Sequence, residues 1–281
     1  MATIVVHGTM TLTAAQFTKW WWNSWGKMGF LDAVSRGMLE ASGRHDVWHI
    51  GGREVSEVPA LNPKWSVWSG RWGQFGQHRG HFMWDGADMG ISREAAAYQL
   101  VKYINTLHQI SPQEPIRIVA HSHGCNVVKR ASADKKLLPG IRFPQAVFLA
   151  CPHFVGADGK TFTYRLAPQR FGTILNLYSP QDSVQTSFAE TFQGLPGGRM
   201  ADWIPSSSHR MEQDVRARAV YRDYEIPTRD AGVHAHTAMH GALVGYVVGR
   251  WLVQGGDFGA AVTHVPRELW PVALGDFGEG V

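Results

Sequence analysis

Short runs of apolar and β-branched residues alternate along the chain with longer stretches whose apolar positions recur every three or four residues. Strands buried on both faces read as continuous apolar runs, whereas a covering helix buries only one stripe, so this alternation predicts a parallel sheet layered with helices. Residues 3–6 predict a first strand, 46–50 a second and 81–84 another. Residues 116–120, 146–149 and 173–178 predict buried strands further along. Ser92 supplies an N-cap for a helix that continues through Ala97, Leu100, Val101, Ile104 and Leu107. Residues 126–131 predict a helix directly after the strand at Ile116, and 237–252 predict the last one.

Two segments follow neither period. Residues 51–80 are rich in Gly, Trp and Arg, and 194–230 contain Pro196-Gly197-Gly198 and Ser206-Ser207-Ser208. Long irregular segments within a regular α/β chain are lids, pocket walls or surface excursions. The expectation is therefore one α/β domain over 1–281 with a lid or cap segment around 194–230.

Composition narrows the classes. A chain of 281 residues, 44% of them hydrophobic, has enough apolar material for one large core. The net charge of +4 is spread along the chain, with no basic run carrying interleaved aromatics, so a nucleic-acid partner is not expected. Two cysteines, Cys125 and Cys151, are too few for a disulfide framework.

The chain opens on Ala2-Thr3-Ile4-Val5-Val6 without a charged segment followed by a long apolar one, which makes a cytoplasmic location the default. A removed signal or non-classical export stays open. No run is long and apolar enough to span a bilayer; the nearest, 242–253, carries Arg250. Gly241, Gly245 and Gly249 share one face of that helix, which predicts a helix lying close against a sheet.

The strongest chemical signal is Ala120-His121-Ser122-His123-Gly124, because a buried strand precedes it and a helix follows at once. A G-x-S-x-G-type elbow acquires meaning only in that context. The turn is sharp, so the residues two before and two after the serine must be small, as Ala120 and Gly124 are. The hydroxyl then stands above the sheet edge at a helix N-terminus, where developing negative charge is favoured. A second strand end is Val6-His7-Gly8-Thr9. The elbow resembles that of α/β-hydrolases, and the resemblance implies that this loop supplies an oxyanion donor from the backbone N–H of Thr9 or Met10, with the N–H of His123 as the other.

A serine needs a base, and the base needs an orienting acid. Asp182 lies just past the strand ending at Tyr178 and is the leading acid, ahead of Asp158, Asp202 and Asp230. The base is expected in Val233-His234-Ala235-His236-Thr237-Ala238-Met239-His240. His236 leads because His236-Thr237 resembles the pair that often opens this helix in related lipases, His234 is second, and His240 is third because it should already lie within the helix. The same cluster has spacing that could hold a metal, although no carboxylate or cysteine ligand is evident nearby. His121 and His123 are expected to shape the pocket, their side chains directed away from the serine oxygen. Trp20-Trp21-Trp22-Asn23-Ser24-Trp25 either lines an acyl pocket or buries the aromatic face of a helix.

On these residues the chain resembles lipase/esterase-type α/β-hydrolases, and more narrowly bacterial proteins with an A-H-S-H-G-[GC]-N-V-V elbow. Shared pieces are His7-Gly8-Thr9, Phe82-Met83-Trp84-Asp85-Gly86 ahead of Arg93, Phe148-Leu149-Ala150-Cys151-Pro152 and Tyr178-Ser179-Pro180-Gln181-Asp182. The likeness runs along roughly the whole chain, but only the elbow is specific, and Cys125 stands where such proteins usually carry Gly. The resemblance implies an α/β-hydrolase fold and hydrolysis of a small-molecule or lipid ester by Ser122, His236 and Asp182, without a cofactor. The rival readings are an amidase, peptidase or thioesterase with the same residues, and a ligand-binding homologue without turnover. Substrate and oligomeric state are not legible.

Overall fold

The computed structural model describes residues 2–8, 30–42, 90–155, 163–184, 204–205, 211, 213–216, 220–226, 233–239 and 241–262. Its elements, in chain order, are β1 (Ala2–Val6), α1 (Phe30–Ser42), α2 (Gly90–Ile110), β2 (Ile116–His121), α3 (His123–Ser132), β3 (Phe143–Leu149) and β4 (Phe154–Val155). They continue with β5 (Phe171–Tyr178), β6 (Ile204–Pro205), α4 (Gln213–Arg216), β7 (Tyr221–Glu225), α5 (Val233–Ala238), α6 (Ala242–Gln254) and α7 (Phe258–Val262).

Among the described residues, five strands form one sheet in the order β1-β2-β3-β5-β7, and each neighbouring pair is parallel. The fold is thus α/β. β4 and β6 form a separate two-stranded antiparallel ribbon. The register places Val6, Ala120, Phe148, Asn176 and Asp223 in one row across the sheet. The residues that leave the sheet just beyond that row share its C-terminal edge, where open α/β sheets place their ligands.

Alternation along the strands divides the core into two layers. Ile4, Val6, Ile118, Ala120, Ala146, Phe148 and Ile174 pack with Leu100 and Ile104 of α2 and Val128 of α3. Val5, Val119, Val147, Leu149, Leu175 and Leu177 pack with Val34 and Met38 of α1 and Val248 and Trp251 of α6. β2 is buried at every position because it has neighbours on both edges and helices on both faces. Arg117 and His121 are its polar residues, and Arg117 Nε donates to Gln145 Oε1 at 2.6 Å.

Four differences from the sequence reading have physical reasons. The helix expected to be capped by Ser92 starts at Gly90, so Ser92 is a buried residue of its first turn. The single helix expected over 237–252 is two, because Gly241 adopts an extended conformation and caps α6. The glycine stripe of α6 faces α1 rather than the sheet: a Cβ on Gly245 would meet Phe30 O at 2.7 Å, and one on Gly249 would fall onto Val34 O. Residues 221–225, within the segment read as a lid, form the edge strand β7. The expected strands 46–50 and 81–84, the segment 51–80, the Trp20–Trp25 run and most of 194–230 lie outside the described residues.

Among the described residues no helix is long and apolar enough to cross a membrane.

Candidate active site

Ser122 sits between the last residue of β2 and the first of α3, at φ 52° and ψ −132°. A non-glycine residue reaches this region only where the surroundings impose it. Those surroundings are visible. The Ser122 N–H donates to Leu149 O at 2.8 Å, and Cys125 N–H donates to Ser122 O at 2.9 Å. The serine is therefore tied to the end of β3 and to the first turn of α3.

The end of β1 presses against this turn. A Cβ on Gly8 would lie 2.5 Å from Ser122 Cβ, and one on Gly124 would fall onto the carbonyl oxygens of Val6 and His7. Glycine at both positions is a steric requirement of the approach. The loop leaving β1 then runs beside the serine, with His7 Nδ1–H donating to Gly8 O at 2.8 Å.

Ser122 is also the N-cap residue of α3, yet its hydroxyl makes no capping bond. Ser122 Oγ instead lies 3.0 Å from His236 Nε2, and His236 Nδ1 lies 2.8 Å from Asp182 Oδ2. A carboxylate can only accept, so Nδ1 carries the proton and Nε2 accepts from the serine hydroxyl. Asp182 is completely buried, and its other oxygen accepts the Val184 N–H at 3.0 Å. Its own N–H closes the turn onto Ser179 O at 3.1 Å. The acid thus follows the end of β5, held by a turn and by backbone donors, while α5 carries the imidazole.

Hydrogen-bonded residues 54 and 114 positions apart in the chain meet here because strands β1, β2, β3 and β5 all end at one edge. The expected residues Ser122, His236 and Asp182 are brought into one hydrogen-bonded chain. His123 is the first residue of α3, so its N–H belongs to the turn that a helix leaves without internal acceptors. The other expected donor, Thr9, lies outside the described residues, as do Met10, His240, Asp158, Asp202, Asp230 and the side chain of His234. Both ring nitrogens of His236 already face protein partners. No cluster of metal-binding side chains occurs among the described residues.

The neighbours of the chain are mostly aromatic. The His121 ring centroid is 4.9 Å from that of His236. His123 stacks on Phe154 at 5.4 Å, and Phe154 meets Tyr164 edge-on at 6.2 Å. Cys125 is buried beneath the elbow with its Sγ 3.3 Å from Ala120 O, at the helix–sheet contact, and burial pushes its thiol up.

One member of this environment was not singled out as a site residue from sequence. Arg93 is buried, and it reaches His123 and Tyr164 from α2. Its signal was present: Arg93, Ala97, Leu100 and Ile104 fall on the same helical stripe, so an arginine stands where the period demands an apolar residue.

Comparison with models of known protein families finds no match, and none is found among curated proteins.

Proposed function

We propose that the protein is a serine hydrolase of the α/β-hydrolase type that cleaves carboxylic esters, with Ser122 as nucleophile, His236 as base and Asp182 as its orienting acid. The observation that carries this reading is the Ser122–His236–Asp182 hydrogen-bonded chain, with distances of 3.0 and 2.8 Å, on a serine held at φ 52° between a parallel strand and a helix. As Ser122 Oγ attacks the ester carbonyl, its proton passes to His236 Nε2 and the new C–O bond forms. Asp182 stabilises the imidazolium. The oxyanion forms beside the first turn of α3, with the N–H of His123 as one donor and that of Thr9 as the other. Collapse expels the alcohol, protonated by His236. Water activated by the same imidazole then releases the acid and restores the serine.

The test is labelling by a fluorophosphonate probe together with hydrolysis of a short-chain nitrophenyl ester. Wild type should label and turn over, and Ser122→Ala should do neither. Asp182→Asn should retain folding but lower kcat by on the order of 10⁴-fold, because the imidazole loses its orienting acceptor. A folded wild type that neither labels nor turns over, or a Ser122→Ala variant that still labels, refutes the reading.

A further inference from the structure

The ring of His123 has a proton pattern that its neighbours dictate. His123 Nδ1 lies 3.3 Å from Arg93 Nη1 and 3.4 Å from Asn126 Nδ2. A guanidinium can only donate, so Nδ1 must accept and the single proton of the neutral ring belongs on Nε2. A proton on Nδ1 would set N–H against N–H. Full protonation would add a second cation beside Arg93. Burial holds His123 well below the usual histidine range, and the positive charges of Arg93 and of protonated His236 act in the same direction.

Arg93 is itself fixed. Its Nε donates to the Tyr164 hydroxyl at 3.0 Å, and its guanidinium carbon lies 5.5 Å from the Phe154 ring centre and 5.7 Å from that of Tyr164. Phe154 in turn stacks on His123 with an interplanar angle of 15°. The imidazole is therefore clamped between an arginine and an aromatic face that the same arginine covers.

We infer that Arg93 is a positioning residue for acyl transfer: it locks His123 as a neutral, Nε2-protonated imidazole and thereby holds the first residue of α3 in register with Ser122 and His236. The inference rests on the serine-hydrolase reading, in which the His123 N–H is an oxyanion donor. Two effects follow from the lock. Anchoring the ring limits movement of the backbone N–H attached to the same residue. Keeping the ring neutral also keeps a second cation away from the imidazolium that His236 becomes during acyl transfer. Among the described residues, the ionisable groups that act on this ring include Arg93 from α2 and His236 from α5, with Tyr164 reached through Arg93, and β4 lays the uncharged Phe154 against it.

The experiment is a two-bond ¹H–¹⁵N correlation spectrum of the full chain with ¹⁵N-labelled histidine, combined with the pH dependence of ester hydrolysis. The His123 signals are assigned by their loss in His123→Gln. In wild type they should show the Nε2-protonated pattern at pH 7 and stay unprotonated through the range where an ordinary histidine titrates, ~6.5. In Arg93→Met, His123 should titrate or mix tautomers, and the acid limb of kcat/KM should steepen from one proton to two. Arg93→Lys, which keeps the cation, should return the limb toward one proton.

A wild-type His123 protonated on Nδ1, or titrating in the ordinary range, overturns the inference without needing any variant to fold. So does an Arg93→Met enzyme slowed equally at every pH with unaltered His123 signals. Fluorophosphonate labelling separates the two levels. Labelled wild type without the tautomer pattern sinks the Arg93 role alone, and unlabelled wild type sinks the hydrolase reading and the Arg93 role with it.

Discussion

At the scale of single residues, Ser122 is held in a backbone conformation that favours glycine, and its surroundings maintain it against that preference. The φ of 52° lifts the hydroxyl off the helix terminus it would otherwise cap and turns it toward His236. Strain of this kind costs about 1–3 kcal/mol. Removing the side chain while keeping the strain should therefore differ from removing both. Ser122→Gly should be more stable than Ser122→Ala by about 1 kcal/mol, the relief of strain exceeding the extra freedom glycine gains in the unfolded chain. Urea unfolding of the two inactive variants measures the difference directly. Equal midpoints, or a less stable glycine variant, would show that the turn imposes little strain on a side chain at this position. The pair also separates fold from chemistry, since each variant lacks the hydroxyl.

At the scale of elements, the central strands are legible because burial on both faces leaves short apolar runs, Ile118-Val119-Ala120 in β2 and Ala146-Val147-Phe148-Leu149 in β3. The edge strand β7 is not. Among the described residues it has a strand partner on one side only, it exposes Arg222, Asp223 and Glu225, and its polarity reads as a loop. Ser122 and Asp182 are legible from their places after strands, whereas His236 is picked out by resemblance, and α5, the short helix that carries it, overlaps the predicted 237–252 helix only at residues 237 and 238. Arg93 escaped because its role depends on Phe154 and Tyr164, which no local pattern links to it. The glycine spacing of α6 predicts a close approach but not what approaches, and the neighbour is α1 rather than the sheet. That approach is testable. A Cβ on Gly249 would fall onto Val34 O, backbone that cannot move aside alone, so Gly249→Ala should cost about 1–3 kcal/mol of stability. Gly259→Ala in α7 meets nothing closer than 3.4 Å and should be neutral or gain up to ~1 kcal/mol from helix propensity. Denaturant midpoints that move together in the two variants would contradict a helix–helix seam at α1 and α6.

At the scale of the whole molecule, the two core layers carry the fold, while the sheet's C-terminal edge collects polar groups at a cost that pH makes visible. His123 is the clearest instance, because burial beside Arg93 keeps it neutral where the unfolded chain would leave it free to take up a proton. Its pKa is depressed in the folded state, so below ~6.5 the unfolded chain binds a proton that the folded chain refuses. Stability must then fall as pH drops through 6.5, and keep falling until the depressed folded value is reached, by up to about 1.4 kcal/mol per pH unit from this residue. His123→Gln removes the titration but retains a carbonyl able to accept from Arg93. Comparing wild type with His123→Gln by urea unfolding at pH 7 and pH 5.5 cancels the contributions of all other groups that titrate alike in both chains. The variant should lose about 1 kcal/mol less than wild type on acidification. An identical loss in the two chains would mean that His123 protonates as readily folded as unfolded, and the arginine beside it would then be holding something other than a neutral ring.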